Sequence, residues 1–281
     1  MKKNIALLFG LVLSFGFVSC SSDDDENGEK YLAERVVTIY EWDGNQRPSE
    51  GKPYKVTRYN KDGQVVSIED FYYGTREDYT YFENGDIKEK RECYKDGSVH
   101  TYKYEYSDGG ASEVRYCYNW KDQLVSTLKL EYDNEKRPIK SLNIIDSIGN
   151  NYGYVTTYTY SGNERTIEIT YLKDGSLFKK LTEEMDSHGY AIKAAYTTSP
   201  GTTYLYDFEN EYDSEGKILA ITQYKDSDRT NYIYTGYTYN DDGTVKNIQE
   251  INTWTTKVSD RIIDYKRQIC DYEYTYTYKK K

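Results

Sequence analysis

Few of the residues that usually carry chemistry are present in this chain. There are two histidines, His100 and His188. Their separation does not suit a chelating pair, so both read as surface residues, one in a strand and one in a turn. No nucleophile elbow, P-loop or dinucleotide fingerprint occurs. The acidic clusters Asp241-Asp242-Gly243 and Asp226-Ser227-Asp228 lack the spacing of a calcium-binding loop. Hence no metal and no cofactor is expected. Beyond Cys20 the cysteines are Cys93, Cys117 and Cys270, an odd number that leaves no complete disulfide framework. Cys93 and Cys117 fall in strands expected two apart, about 9.6 Å, whereas a disulfide needs Cα atoms within about 7 Å. Both are expected to be free, buried thiols. Basic residues are in deficit, 37 against 47 acids, for a net charge of −10. That balance argues against nucleic acid as a partner and against charge-driven docking on anionic lipid. Proline is rare, with four residues, while aromatics make up 16%, the reverse of a disordered composition.

Long apolar runs are also missing, with one short exception. Ile5 to Phe17 is apolar, follows Lys2 and Lys3, and leads to Phe17-Val18-Ser19-Cys20 and then S-S-D-D-D-E. This looks like a bacterial lipoprotein signal peptide, cut before a cysteine that becomes lipidated. The acidic stretch after Cys20 resembles the export tag that Bacteroidetes-type bacteria use to move lipoproteins to the cell surface. The resemblance implies a signal peptide over 1–19, a lipidated Cys20 with an acidic tether over 20–30, and a folded domain over 31–281. It implies an outer-membrane partner reached through the lipid anchor, with the domain facing the cell exterior. Each buried CH₂ contributes about 0.8 kcal/mol, so several acyl chains make a durable anchor. After Cys20 no run of eighteen apolar residues follows, so no transmembrane helix is expected.

What the chain has in excess is tyrosine, 35 residues against 7 Phe. Many belong to a repeat of Tyr, a polar turn and an aliphatic residue. It reads Y-N-K-D-G-Q-V from Tyr59, Y-F-E-N-G-D-I from Tyr81, Y-D-S-E-G-K-I from Tyr212 and Y-N-D-D-G-T-V from Tyr239, with weaker copies from Tyr106, Tyr132 and Tyr160. M-D-S-H-G-Y-A-I from Met185 is a copy without its Tyr, and a second series includes Y-K-D-G-S-V from Tyr94 and Y-L-K-D-G-S-L from Tyr171. Each unit of about 25 residues then holds two strands and two turns. Asn-Gly and Asp-Gly supply the positive φ that tight hairpins need. Between turns the pattern alternates with period two, as in Tyr102, Tyr104 and Tyr106, or the four Tyr from Tyr272 to Tyr278. A phase slip at Thr235-Gly236 predicts a bulge. The fold expected is all-β, an antiparallel hairpin-repeat meander of some fifteen or more strands. Open sheets beyond about ten strands curl, so a long coiled or partly rolled sheet is expected, with Tyr rows stacked as ladders. Arg35–Trp42 and Asn252–Cys270, outside the motif, are expected to cap its ends. A membrane-spanning barrel is not expected, because neither set of alternating residues forms an apolar band.

At Glu211–Leu219 and Tyr237–Val245 the chain resembles the YD repeats of RHS-type proteins, whose units run Tyr-Asp-x-x-Gly-x-Leu through successive hairpins. Together with the lipoprotein leader, the whole resembles a YD-repeat-like surface lipoprotein of Bacteroidetes, a largely uncharacterised group. Enclosure of a toxin does not carry over, since too little chain is present. Three functional readings remain open. The first is a non-catalytic binding or adhesion module for a glycan or protein ligand, with Trp42, Trp120 and Trp254 as candidate contacts. The second is a structural spacer or assembly lipoprotein. The third and weakest is a carbohydrate-active enzyme, for which no carboxylate pair stands out.

Overall fold

A computed structural model describes residues 30–145, 152–199, 201–258 and 261–280. The expected leader over 1–19 and Cys20 lie outside them. Six strands, β1 (Lys30–Glu41), β2 (Lys52–Tyr59), β3 (Val65–Asp70), β4 (Thr75–Tyr81), β5 (Ile87–Cys93) and β6 (Val99–Tyr106), lead through a 3₁₀ turn. Then come β7 (Ser112–Tyr118), β8 (Leu124–Tyr132), β9 (Pro138–Ile144), β10 (Gly153–Ser161), β11 (Glu164–Tyr171) and β12 (Leu177–Met185). The chain ends with β13 (Ala191–Thr198), β14 (Thr202–Tyr212), β15 (Ile218–Tyr224), β16 (Tyr232–Tyr239), β17 (Val245–Val258) and β18 (Arg261–Lys280).

Each strand pairs antiparallel with its neighbours in sequence, and β18 pairs with β1. The sheet is therefore a closed, up-and-down barrel of eighteen strands. Closure goes further than the partly rolled sheet expected from sequence, because the two end strands meet each other. Arg35 and Val37 lie opposite Tyr276 and Tyr274, so β1 zips onto β18 where a cap was expected. Asn252–Cys270 likewise forms no cap: it is the far part of a long β17–β18 hairpin, paired from Asn247↔Glu273 outward to Val258↔Arg261 with one register shift between Thr256 and Lys257. Pairing the two ends removes the exposed edges that an open meander would leave.

Residues directly opposite in a ladder share a face, so the register assigns every strand residue to one of two faces. Following this parity around all eighteen strands returns each face to itself. One set contains Tyr79, Tyr102, Tyr104, Tyr158, Tyr237 and Tyr274. Along β14 the residues of this set from Tyr206 to Tyr212 are half-buried while the alternate ones are exposed, which marks this as the concave, inner face. Burial raises the pKa of Tyr79, Tyr102, Tyr104, Tyr237 and Tyr274. The outer set carries ion pairs: Arg58 with Glu34 and Glu69, each at 3.1 Å, Lys180 with Glu168 at 2.7 Å and Lys193 with Glu184 at 3.3 Å. Tyr104 is the only inner tyrosine among the described residues with less than a tenth of its surface exposed. The inner face is thus lined but not packed shut, as expected of a barrel with this many strands. A circular section would be about 30 Å across at the backbone.

The tyrosines do not form continuous ladders. Tyr154 meets Tyr171 at 5.5 Å and Tyr196 meets Tyr204 at 6.4 Å, but most inner rings face a charged or aliphatic partner. Tyr79, Lys90, Tyr102 and Cys117 lie in one register row, and Tyr160, Arg165 and Glu183 in another. Lys90 Nζ lies 4.5 Å from the Tyr102 ring centre and bridges Glu77 and Glu92. Alternating rings with salt-bridged side chains relieves crowding on a concave wall and satisfies the buried charges. The bulge expected at Thr235-Gly236 is absent, since both neighbouring ladders run through these residues unbroken. The alternation changes because Tyr232 and Tyr234 point outward while Tyr237 and Tyr239 point inward. Cys93 and Cys117 sit on β5 and β7, as expected, and are free thiols on opposite faces. Cys117 is buried and Cys93 only half-buried.

Candidate binding surfaces

The two ends of the barrel are built differently. Lys30 pairs with Lys280, so both ends of the sheet lie at one mouth, the terminal rim. Eight connections lie there, from β2–β3 to β16–β17. Six of them share one geometry, seen at 60–64, 82–86, 133–137, 186–190, 213–217 and 240–244. In each, the first residue's N–H reaches the fifth residue's carbonyl, and the fourth residue's N–H reaches the first residue's carbonyl. The fourth residue needs positive φ, supplied by glycine in five turns, such as Gly216 at +83°, and by Lys136 at +61° in the sixth. The Asp or Asn after the repeat Tyr caps the turn. Asp213 Oδ1 accepts the N–H groups of Glu215 and Lys217, and Asn60, Asp133 and Asp186 act alike.

In three copies the repeat Tyr ties its turn to an earlier one. Tyr81 Oη donates to the Val65 carbonyl at 2.5 Å, Tyr160 to Pro138 at 3.1 Å and Tyr239 to Ile218 at 2.7 Å. In every case the acceptor is the first residue after the previous repeat turn. Tyr276, on the last strand, makes the same bond to Val245 at 2.7 Å. Phenylalanine would pack equally well at these four positions but could not donate the bond. Asp186 is the most heavily bonded acid of these six turns. Its Oδ2 accepts Tyr212 Oη at 2.5 Å and Asn210 Nδ2 at 2.9 Å. Burial alone would raise its pKa, but these bonds together lower it. His188 stacks on Tyr212 at 4.1 Å in this turn, as its reading as a turn residue requires.

The opposite rim carries the exposed apolar side chains. Of fourteen large apolar residues exposed among those described, ten lie at or near this rim, including Phe71, Tyr72, Tyr73, Trp120, Tyr204 and Leu205. Trp120 is at the tip of the β7–β8 turn, 67% exposed, with Lys121 Nζ 4.7 Å from its ring centre. Phe71-Tyr72-Tyr73 forms the β3–β4 turn. The buried Asp70 accepts the N–H groups of Tyr72 and Tyr73 at 3.1 and 2.9 Å, which fixes the turn and turns its rings outward. Tyr72 and Tyr73 meet edge to face at 4.9 Å, and Tyr54 joins Tyr72 to Tyr272 on the inner wall. Burial and the Asp70 charge push Tyr54 up to about 12. Burial also raises the Glu250 carboxyl, which accepts Tyr272 Oη at 3.2 Å.

The three tryptophans do not converge. Trp42 donates its indole N–H to Asp271 at 2.9 Å, and Asp271 also accepts from Arg47 and Gln249. This network fastens the β1–β18 seam. Trp254 sits on the β17–β18 hairpin opposite Lys266, on the inner parity. Trp120 alone stands clear on a turn. The Phe71-Tyr72-Tyr73 group was missed in the sequence. Its signal was three consecutive aromatics before a glycine, which breaks strand alternation and so belongs to a turn. The acid clusters serve the backbone: Asp242 accepts Thr244 N–H and Oγ1, and Asp226 accepts from Thr230 and Asn231. Among the described residues no three His, Cys, Asp or Glu side chains come together as metal ligands.

No family model matches this chain, and no curated protein does. Solved structures do align with it. A porin-like protein from Bacteroides uniformis is 11% identical over 88% of this chain and 98% of the other, with a TM-score of 0.46. A porin-like protein from Bacteroides vulgatus is 12% identical over 85% and 98%, with a TM-score of 0.36. The Tc holotoxin pore of Photorhabdus luminescens is 12% identical over 83% of this chain and 16% of that one, with a TM-score of 0.26. At these scores the architecture rests on the strand pairing described above.

Proposed function

We propose that this chain is a YD-repeat-like surface lipoprotein, held at the outer membrane by Cys20, whose barrel stands outside the bilayer and binds glycans without catalysis. The observation that carries the reading is the segregation of exposed aromatic rings to the rim opposite the chain ends. The tether over 20–30 enters at the terminal rim and spans at most about 35 Å when extended. The terminal rim then faces the membrane and the aromatic rim faces outward. The charged outer wall supports a position off the bilayer, because Lys or Arg facing lipid at mid-depth costs roughly 2–4 kcal/mol.

A glycan suits this rim better than a folded partner protein. Trp120 and the Phe71–Tyr73 group are separate ring surfaces with polar neighbours, spread around a wide mouth. Protein hot spots instead cluster in one desolvated patch. Separate rings match sugar units spaced along a polymer, each stacking on one aromatic face. A glycan array probed with the full chain, followed by tryptophan fluorescence titration of the hits, tests the reading. Binding lost in Trp120→Ala with the barrel intact is the expected result. An empty array, or hits that survive both Trp120→Ala and Tyr72→Ala, would overturn it.

A further inference from the structure

At the terminal mouth the inner wall holds a cation without a counter-charge. The inward Lys55, Lys90, Arg115 and Arg165 each pair with a carboxylate, from Asp70, Glu77 with Glu92, Glu113 and Glu183 respectively. Arg35 shares their face, opposite Tyr276 on β18 and Thr57 on β2, and pairs with no described carboxylate. Its Nε is buried with no hydrogen-bond partner. The adjacent Thr57 Oγ1 is also buried and unpartnered, in a residue only 2% exposed. Two neighbouring orphaned polar atoms on one inward register position call for a missing partner, since such groups are rarely left unpaired. Phenol rings share their face: Tyr276 lies opposite Arg35 in the register, and Tyr274 and Tyr59 are the next inward residues on β18 and β2. Burial raises the pKa values of all three, and the Arg35 charge draws each of them back. Asp70, two register positions away, is already engaged by Lys55.

We propose that Arg35 and Thr57, walled by Tyr59, Tyr274 and Tyr276, form an anion site that takes the carboxylate of a uronic-acid sugar. The guanidinium supplies charge and paired donors, which suit a planar carboxylate. Thr57 Oγ1 supplies another donor, and the phenol faces cover the sugar ring. A bridging water could satisfy Nε and Oγ1, but it would leave the charge unbalanced, and an anion answers both needs. The site lies at the opposite end from the aromatic rim, so it stands or falls independently of the rim reading.

The test is isothermal titration of the full chain with trigalacturonate, maltotriose and sodium sulfate, repeated with Arg35→Met. Trigalacturonate is expected to bind at least tenfold more tightly than either other probe, with Arg35→Met abolishing that preference. Thermal unfolding of ligand-free Arg35→Met should show a midpoint equal to or above that of the parent, since the change removes an unpaired charge. Sulfate binding as well as trigalacturonate would overturn the sugar assignment. The absence of anion binding, or its survival in a folded Arg35→Met protein, would overturn the site.

Discussion

The two mouths of this barrel come from the same chain and the same strands, yet they present different surfaces. At the terminal rim, six turns repeat one hydrogen-bonded geometry, and tyrosine hydroxyls staple successive turns. At the other rim the same turn geometry recurs at 94–98 and 119–123, the remaining connections differ in length and chemistry, and ten of the fourteen large apolar residues exposed among those described gather there. Repetition and satisfied polar groups mark the end that holds the architecture. Uncovered rings, on a regular turn at Trp120 and on an irregular one at Phe71–Tyr73, mark the end free to meet a ligand, since surface loops carry function more readily than the scaffold beneath them.

The contrast can be broken most sharply at Asp186. Asp186→Ala removes the acceptor for two backbone N–H groups, Asn210 and Tyr212. It should cost about 2–3 kcal/mol, since hydrogen bonds to charged groups are the strong ones. Denaturant unfolding gives the measurement, and a loss below about 0.5 kcal/mol would remove the distinction between the rims. Next in size is Tyr239→Phe, which deletes the staple to the Ile218 carbonyl and should cost about 1 kcal/mol. The same change at Tyr73, on the opposite rim, should cost almost nothing.

The third effect is a pH dependence. The folded pKa of Asp186 is lowered, so its contribution is complete above the ordinary aspartate value and fades as pH falls through the lower folded value. Wild-type unfolding midpoints should fall below about pH 4, and Asp186→Asn should flatten that slope. A slope unchanged by the substitution would assign the acid sensitivity elsewhere. Smallest of all, Trp120→Ala should change stability by less than about 0.5 kcal/mol, because an exposed turn residue has little packing to lose. A larger loss in calorimetry would make Trp120 a structural residue and weaken the proposed role of its rim.

Much of the terminal rim was legible in the sequence. Tyr, then Asp or Asn, then Gly three residues on, is a local rule whose cause lies within a single turn, as at Tyr212-Asp213 and Gly216. The alternation that lines one wall with Tyr102, Tyr104 and Tyr106 was legible for the same reason. The opposite rim was harder to read, because Phe71-Tyr72-Tyr73 obeys no periodicity. Trp42 was chosen as a contact, yet its indole is tied to Asp271, 229 residues away along the chain. No local pattern carries that information.

By itself the sequence determined the hairpins, their turns and the period-two division of each strand, because those depend on backbone conformation and neighbours a few residues apart. Only the tertiary structure decided that β1 meets β18, that the tyrosine face is the inner one, and that Arg35 comes to rest beside Thr57 and Tyr276 without an ion pair to any described carboxylate. Those outcomes follow from closing eighteen strands into one ring, a condition that involves every register at once and that no single segment encodes.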